Sequence, residues 1–413
     1  MKKEKKPFRI LHTADWHLGK LLGDQSRDEE HGLFLDWLIQ TIETEEIDEV
    51  LIAGDIFDTA TPPNQALERY YSFISRLHKL GTCSLTVIAG NHDSPSQLEA
   101  PKDILRVLGV EVAGVLAEKV EDRILVLPRM GEPQVVLALL PFLRDRDLRL
   151  GRFGDDREEI RRELSDGIRS RYAETADAIL ALGFSVPAIG TGHLTVLGSS
   201  ASDSERSIHI GGLGAISADL FPPGFEYIAL GHIHRPQSLG VDRRVRYAGS
   251  PIPLSFSEAE DGKSVQILEI RGSSLDLRTR EIPRFRRLLR RRVPVSKAED
   301  ALVDLVGQPG ELEPWVEVTL YGKGFVEEAM RTLGTYSATQ GYRILKVLRE
   351  EIPTREGDSL HSSPDDVALS RVTLLDSPQE VFNLLLSQRG IVDNEETEEL
   401  RLAFHKILDE VQV

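Results

Sequence analysis

The sequence predicts an α/β protein: a large domain on a mainly parallel sheet, a small α+β domain, and C-terminal helices. Three observations carry this prediction. From Phe8 to about Leu140, short apolar runs alternate with amphipathic stretches of helical length. Polar clusters stand directly behind several of the β-rich runs. After Arg284 the pattern changes to strand, helix, strand, helix, strand.

Taken in order, Phe8–Thr13, Val50–Ala53 and Leu85–Ala89 are β-rich, with helix-like stretches at Glu29–Glu45 and Asn64–Leu80 between them. Pro62-Pro63 suits the start of the second helix. Strand–helix–strand at this spacing reads as right-handed crossovers between parallel strands. Further strands are expected at Val135–Leu140, Ala188–Gly192, Tyr227–Leu230, Arg244–Ala248 and Ser264–Ile270, and Arg144–Arg171 reads as a charge-dense loop leading into a helix. Pro283 follows the last β-like run, so the first domain is drawn over residues 1–282 and the α+β domain over 283–352. The rest, 353–413, begins with a polar Ser-, Asp- and Gly-containing linker at Glu356–Asp366. A helix then opens with Ser377, Pro378 and Glu380 as a capping box and ends at Gly390. Leu400, Phe404, Ile407, Leu408 and Val411 share one face of a second helix.

Composition narrows the function. With 50 Lys and Arg against 67 Asp and Glu the net charge is −17, so any hold on a polyanion must come from a local basic patch or bound metal. The single cysteine, Cys83, excludes an intrachain disulfide and a thiolate metal site. With no membrane-length apolar run and no signal-peptide core, the expected location is cytoplasmic.

The chemistry lies in five polar clusters: Asp15-Trp16-His17, Gly54-Asp55-Ile56-Phe57-Asp58, Gly90-Asn91-His92-Asp93, Gly192-His193 and Gly231-His232-Ile233-His234. Each follows a predicted strand. The carboxyl ends of parallel strands are where loops converge on a ligand, so the five can meet in space. A lone Asp-x-His or Gly-His is commonly structural, whereas all five in this order have no such explanation. The donors suit oxygen- and nitrogen-loving divalent ions, and Mn²⁺, Mg²⁺, Fe²⁺ or Zn²⁺ are all chemically acceptable. A carboxylate such as Asp55 has two oxygens and can bridge. Paired ions about 3.5–4 Å apart ionise a shared water and clamp an in-line displacement, the machinery of phosphate-ester hydrolysis.

The order Asp-x-His, Gly-Asp, Gly-Asn-His-Asp, Gly-His, Gly-His-x-His resembles that of the calcineurin-like metallophosphoesterases. The runs His12–Gly19, Ala53–Asp58, Ala89–Pro95 and Tyr247–Pro251 narrow the resemblance to the double-strand-break repair nucleases of that superfamily. It extends over nearly the whole chain and is weaker after about Glu260. It implies a four-layer core, two mixed sheets flanked by helices, with a small α+β cap. It assigns Asp15, His17, Asp55 and His234 to one ion, and Asp55, Asn91, His193 and His232 to a second, most readily Mn²⁺ with Mg²⁺ acceptable. His92 becomes the general acid that protonates the leaving 3′ oxygen. Asp93 caps the loop or orients a neighbour, and receives no catalytic role. The family further implies 3′→5′ exonuclease and single-strand endonuclease activity on DNA ends and hairpins in repair, recombination and replication. It also implies a homodimer within a heterotetramer, the tail helices packing on an ABC-type ATPase with a long coiled coil.

Other residues have two readings. His12, His31 and His78 fit packed or solvated positions, and His209 fits the rim of the site. The run Arg284, Arg286, Arg287, Arg290, Arg291, Arg292 is either a strand edge salt-bridged to acidic surface or a phosphate-tracking patch. Lys20 and Arg27 are candidates for contact with a DNA backbone. Two rival functions remain in view: a metallophosphoesterase of small substrates such as cyclic nucleotides, and a metal-free scaffold of the same fold. The cap and tail speak against the first, the complete ligand set against the second.

Overall fold

A computed structural model describes residues 6–148, 157–205, 216–298, 312–322, 329, 333 and 341–350. These divide into two compact units. The first takes those within Met1–Leu289, Val306–Trp315 and Gly341–Leu345; the second takes those within Arg290–Leu305, Val316–Gln340 and Lys346–Val413.

The first unit holds two six-stranded sheets. One contains β1 (Phe8–Thr13), β2 (Glu49–Ala53), β3 (Ser84–Ile88), β4 (Val110–Ala113), β11 (Ser264–Arg271) and β12 (Ser274–Glu281) in the order β12-β11-β1-β2-β3-β4. The other contains β5 (Ile124–Leu127), β6 (Val135–Ala138), β7 (Ala188–His193), β8 (Tyr227–Gly231), β9 (Gln237–Leu239) and β10 (Val245–Tyr247) in the order β9-β10-β8-β7-β6-β5. Strands β1 to β4 run parallel, as do β6, β7, β8 and β10; the outer strands β11, β12, β5 and β9 pair antiparallel.

Period-two burial makes these sheets two-faced. Leu11, Val50, Ile52, Leu85 and Val87 pack with residues of helices α1 (Asp28–Thr44) and α2 (Asn64–Leu80). Their alternates Ile10, Leu51, Ala53 and Ile88 pack instead on Leu137, Ile189, Tyr227 and Ala229 of the second sheet. The far face of that sheet, through Val136, Ile228 and Leu230, meets Leu164, Ile168 and Tyr172 of α3 (Arg157–Ala181). The result is the expected four-layer order of helices, mixed sheet, mixed sheet and helix. His12 and Tyr227 join the two sheets at 2.9 Å from Nδ1 to the hydroxyl oxygen, and burial pushes the His12 pKa down to about 3. Its imidazole is therefore a neutral packing residue.

Helix α2 begins behind an extended Pro63 and stops at Gly81, whose φ of 68° supplies the left-handed C-terminal turn. Directly after Arg144, where the sequence reads as a loop, Asp145–Leu148 form a short helix; α3 then runs past Arg171 to Ala181, and residues 149–156 lie outside the described residues. Four strands of these two sheets escaped the sequence reading. Three, β4, β5 and β9, are only three or four residues long, and β12 is an edge strand whose side chains are mostly exposed and half of them charged.

Arg286–Pro294 (β13), Leu312–Tyr321 (β14) and Arg343–Arg349 (β15) form a three-stranded sheet in that order. In the second unit Val293, Val316, Val318, Leu320 and Leu333 are buried. The ion pairs Arg290–Glu317 and Arg292–Glu350 also lie within it. The helices expected between these strands fall largely outside the described residues. The linker and both tail helices lie wholly outside them.

Trp16, between Asp15 and His17, is fully buried. It packs edge-on against Phe34 of α1 and Phe73 of α2 at 5.5 and 5.2 Å, with its indole N–H donating to Thr13 Oγ1 at 3.0 Å. Trp16→Ala should cost about 3–5 kcal/mol, measured by urea denaturation, and Trp16→Phe clearly less. Equal losses for the two variants would mean that the indole hydrogen bond, not the packed volume, fixes this loop.

Candidate metal centre

All five clusters arrive at one edge. Asp15 and His17 follow β1, Asp55 follows β2, Asn91 and His92 follow β3, His193 ends β7, and His232 and His234 follow β8. The loops continue the pairing of their strands: Asp15 N donates to Gly54 O and His17 N to Asp55 O, each at 3.0 Å. Such tight convergence bends the backbone. Asp15, His17, Asp55 and His232 all adopt positive φ, between 47° and 96°. Such conformations cost about 1–3 kcal/mol each and persist only where the surroundings over-determine them. Two glycines admit the crowding: a Cβ on Gly54 would strike the His193 ring, and one on Gly90 would strike the Asp55 carboxylate.

Asp15, His17 and His234 offer ligand atoms within 4.8 Å of one another, as do Asp15, Asp55 and His193. His17 Nε2 lies 3.6 Å from Asp55 Oδ2, and His193 Nε2 lies 3.2 Å from that oxygen. His193 Nε2 is also 3.0 Å from Asn91 Oδ1, and the His193 and His232 rings meet edge-on at 5.4 Å. The seven residues expected as ligands are thus brought together, with Asp55 between the two groups. His92 joins from the side, its ring 4.7 Å from that of His17, and its backbone N–H donates to Asp55 Oδ1 at 2.9 Å.

The donor set fits a divalent cation. Buried Asp15 Oδ2 and His17 Nε2 have no hydrogen-bond partner, an expensive arrangement unless a cation takes up the lone pairs. Outer partners orient the rings, as metal-bound histidines require. His17 Nδ1 is 3.2 Å from Asp58 Oδ1, and His193 Nδ1 donates to Ala53 O at 2.9 Å. Lys20 Nζ also reaches Asp58 Oδ1, at 3.1 Å. Burial works against an ionised Asp58, but His17 and Lys20 hold its carboxyl well below the usual range.

Charge crowding makes the site costly without an ion. Burial pushes Asp15 up to about 7, against the pull of His193 and with the repulsion of Asp55. Burial also disfavours charge on Asp55, yet His193, His17 and His92 outweigh it and hold that carboxyl low. His193, despite burial, is drawn up to about 9 by Asp55. These protons must leave before the same atoms can ligate a cation.

Residues outside the ligand set divide plainly. The Asp93 carboxylate accepts the backbone N–H groups of Ile56, Phe57 and Gly90, and so caps the loop. His31 is buried and neutral, its pKa pushed down to about 3 by burial; His78 is exposed. His209 lies outside the described residues. The arginines and lysine expected on a DNA path are placed differently. Arg27 is fully buried, bonded to Glu30 at 2.7 Å and Pro253 O at 2.7 Å. Arg286 is buried on the same Glu30 at 2.9 Å and stacks on Trp315 at 4.2 Å. Neither guanidinium faces solvent, a correction to the expected phosphate contacts, because Glu30 supplies a buried counter-charge that the sequence spacing conceals. Lys20 is tied to Asp58, Arg287 is half-buried, and Arg284 is exposed. Sequence reasoning gave no role to Asp58, although the second carboxylate of its Gly-Asp-Ile-Phe-Asp run was a visible signal.

Comparison with known proteins agrees with the geometry. The calcineurin-like phosphoesterase family model matches residues 8–236. The SbcD component of the SbcCD nuclease of Escherichia coli K12 is 40% identical over 316 residues, 76% of this chain and 75% of its own length. The corresponding proteins of Rhodobacter capsulatus and Bacillus subtilis 168 are 38% and 37% identical, covering 65% and 63% of this chain and 67% and 66% of their own.

Because Asp55 stands between both groups of donors, Asp55→Asn should reduce metal bound per chain from about two ions to one or none, counted by elemental analysis of the folded variant. Chelation of the wild type should lower its melting temperature, since an ion that binds only the folded state stabilises it. An unchanged melting temperature would deny that these residues hold a metal. The matches, on a chain whose expected ligands converge at one edge, show that it belongs to the calcineurin-like phosphoesterases, within the SbcD family of nucleases.

Proposed function

We propose that this chain is a two-metal DNA nuclease, hydrolysing phosphodiesters at DNA ends and hairpins as the nuclease component of an SbcCD-type complex. The reading includes 3′→5′ exonuclease and single-strand endonuclease activity, and Mn²⁺ as the working ion. Its partners are an SbcC-type ATPase, bound through residues 353–413, and a second copy of the chain. Residues 1–282 are the nuclease domain and residues 283–352 the α+β capping domain. The single observation that carries the reading is the convergence of buried Asp15, His17, Asp55, His193, His232 and His234 with half-buried Asn91, and with His92 beside them.

Asp15, His17, Asp55 and His234 hold one ion, and Asp55, Asn91, His193 and His232 hold the other. When bound, such a pair supplies Lewis acidity toward the phosphodiester and lowers the pKa of the attacking water. His92 does the remaining proton chemistry. Its Nδ1 stands 2.6 Å from the Asp58 carbonyl oxygen, which can only accept, so Nδ1 carries a hydrogen and the transferable proton resides on Nε2. The Asp55 carboxylate accepts the His92 backbone N–H at 2.9 Å and so fixes the residue beside the expected ligands. His92 is therefore built to protonate the leaving 3′ oxygen, an alkoxide too basic to depart unaided.

The test is hydrolysis of end-labelled single- and double-stranded DNA with Mn²⁺. His92→Ala should slow turnover about 10²–10⁴-fold with metal content and DNA binding kept. Bis-nitrophenyl phosphate, whose leaving group needs no proton, should be far less affected by the same substitution. Equal losses on both substrates would remove His92 from the role of general acid. A wild type that cleaves only the small diester would move the function to small substrates.

A further inference from the structure

His234 is held from behind by a polar network that neither the family match nor the ligand assignment accounts for. Ser204 Oγ lies 2.7 Å from His234 Nδ1, and the same hydroxyl donates to Glu258 Oε1 in a very short hydrogen bond. Glu258 is fully buried. Its other oxygen accepts from Lys263 Nζ at 2.5 Å, and from Leu254 N and Ser250 Oγ, each at 3.2 Å. Lys263, also buried, donates in addition to the His234 carbonyl at 3.0 Å and to Ser250 Oγ at 2.9 Å. Glu205 Oε1 accepts the His234 backbone N–H at 2.8 Å. Backbone and ring of one ligand are thus fixed by four side chains, those of Ser204, Glu205, Glu258 and Lys263.

Counting protons assigns the tautomer. Ser204 has one hydroxyl hydrogen. Glu258, paired with an ammonium, is an acceptor only, so the short contact to Ser204 requires that hydrogen. Ser202 Oγ, 2.8 Å from Ser204 Oγ, does not release Ser204 from this duty: its own hydrogen goes to Glu205 Oε2 at 2.6 Å, and Glu258 Oε1 is farther from it, at 3.1 Å. Ser204 Oγ is left to accept from His234, which places the ring hydrogen on Nδ1.

We propose that Ser204, polarised by Glu258, is a positioning residue for the metal centre: it sets the His234 tautomer so that Nε2 presents its lone pair to the group formed with Asp15 and His17. The inference rests on the two-ion reading above and adds to it a hydroxyl–carboxylate–lysine relay specific to one of the two ions. Glu258 is a poor first target, since its loss would strand the buried Lys263 ammonium. Ser204 is the clean one, because removing its hydroxyl leaves the Glu258–Lys263 pair whole.

The experiment is titration of the metal-free full-length chain with Mn²⁺, free ion being counted by electron paramagnetic resonance. Metal-free melting temperatures are recorded for each variant. Ser204→Ala should weaken one of the two sites about 10–100-fold and leave the other and the metal-free melting temperature unchanged. Ser204→Thr, which keeps the hydroxyl, should restore the site. Imidazole ¹⁵N shifts should report His234 hydrogenated at Nδ1 in the wild type and a mixed tautomer in Ser204→Ala. A Ser204→Ala chain that titrates like the wild type overturns the proposal while the two-ion reading stands. So does one that loses both sites together with its melting temperature. A wild type that takes up no Mn²⁺ overturns the two-ion reading and this inference with it.

Discussion

The Asp55 carboxylate is the constraint on which the site and much of the fold around it depend. It follows a strand of the first sheet, stands 3.2 Å from His193 at the end of a strand of the second, and accepts the backbone N–H of His92. One side chain therefore ties three strand ends from two sheets. Its neighbours are arranged to tolerate it: Gly54 and Gly90 lack the side chains that would collide there, and Asp93 gathers the backbone donors of the same turn. The packing of Ile10, Leu51 and Ile88 against Ile189 and Ala229 holds the sheets at the separation this requires.

The electrostatic account is that of a site arranged for cations. Buried carboxylates and imidazoles face one another with two polar atoms left without hydrogen bonds, and protons are displaced toward Asp15 and His193 in compensation. The acidic balance of the whole chain, −17, does not oppose an anionic substrate at such a place, because ions bound there dominate the local field. Meanwhile several arginines that looked free in the sequence are spent internally, Arg27 and Arg286 both on Glu30.

What was legible in the sequence was whatever chemistry sits next to its own strand. Asp15, Asp55, His92, His193 and His234 each follow an apolar run by a few residues, so period and polarity were enough to align them on one edge, and the four layers followed from the family those motifs resemble. Less legible were partnerships between distant segments. Asp58 behind His17, Ser204 and Glu258 behind His234, and Glu30 between two arginines depend on loop paths that no periodicity encodes. Strand alternation also hides the direction of a charge: Arg286 turns inward beside Leu288 while Arg284, two residues earlier, stays exposed. Short or charged edge strands such as Val110–Ala113 and Ser274–Glu281 carry too little apolar signal to be read at all.

The left-handed backbone at Asp15, His17, Asp55 and His232 has an evolutionary consequence. Conformational energy is stored at four of the residues expected around the ions, and otherwise among the non-glycine described residues only at Glu46 and Arg243 in loops. Substitutions toward glycine or asparagine at those four positions relieve strain, and loss of the carboxylates also relieves crowded charge. A lineage released from the need to hold metal would thus drift toward a sturdier molecule by erasing these positions first. The four positions would therefore be the first to change once metal was no longer needed.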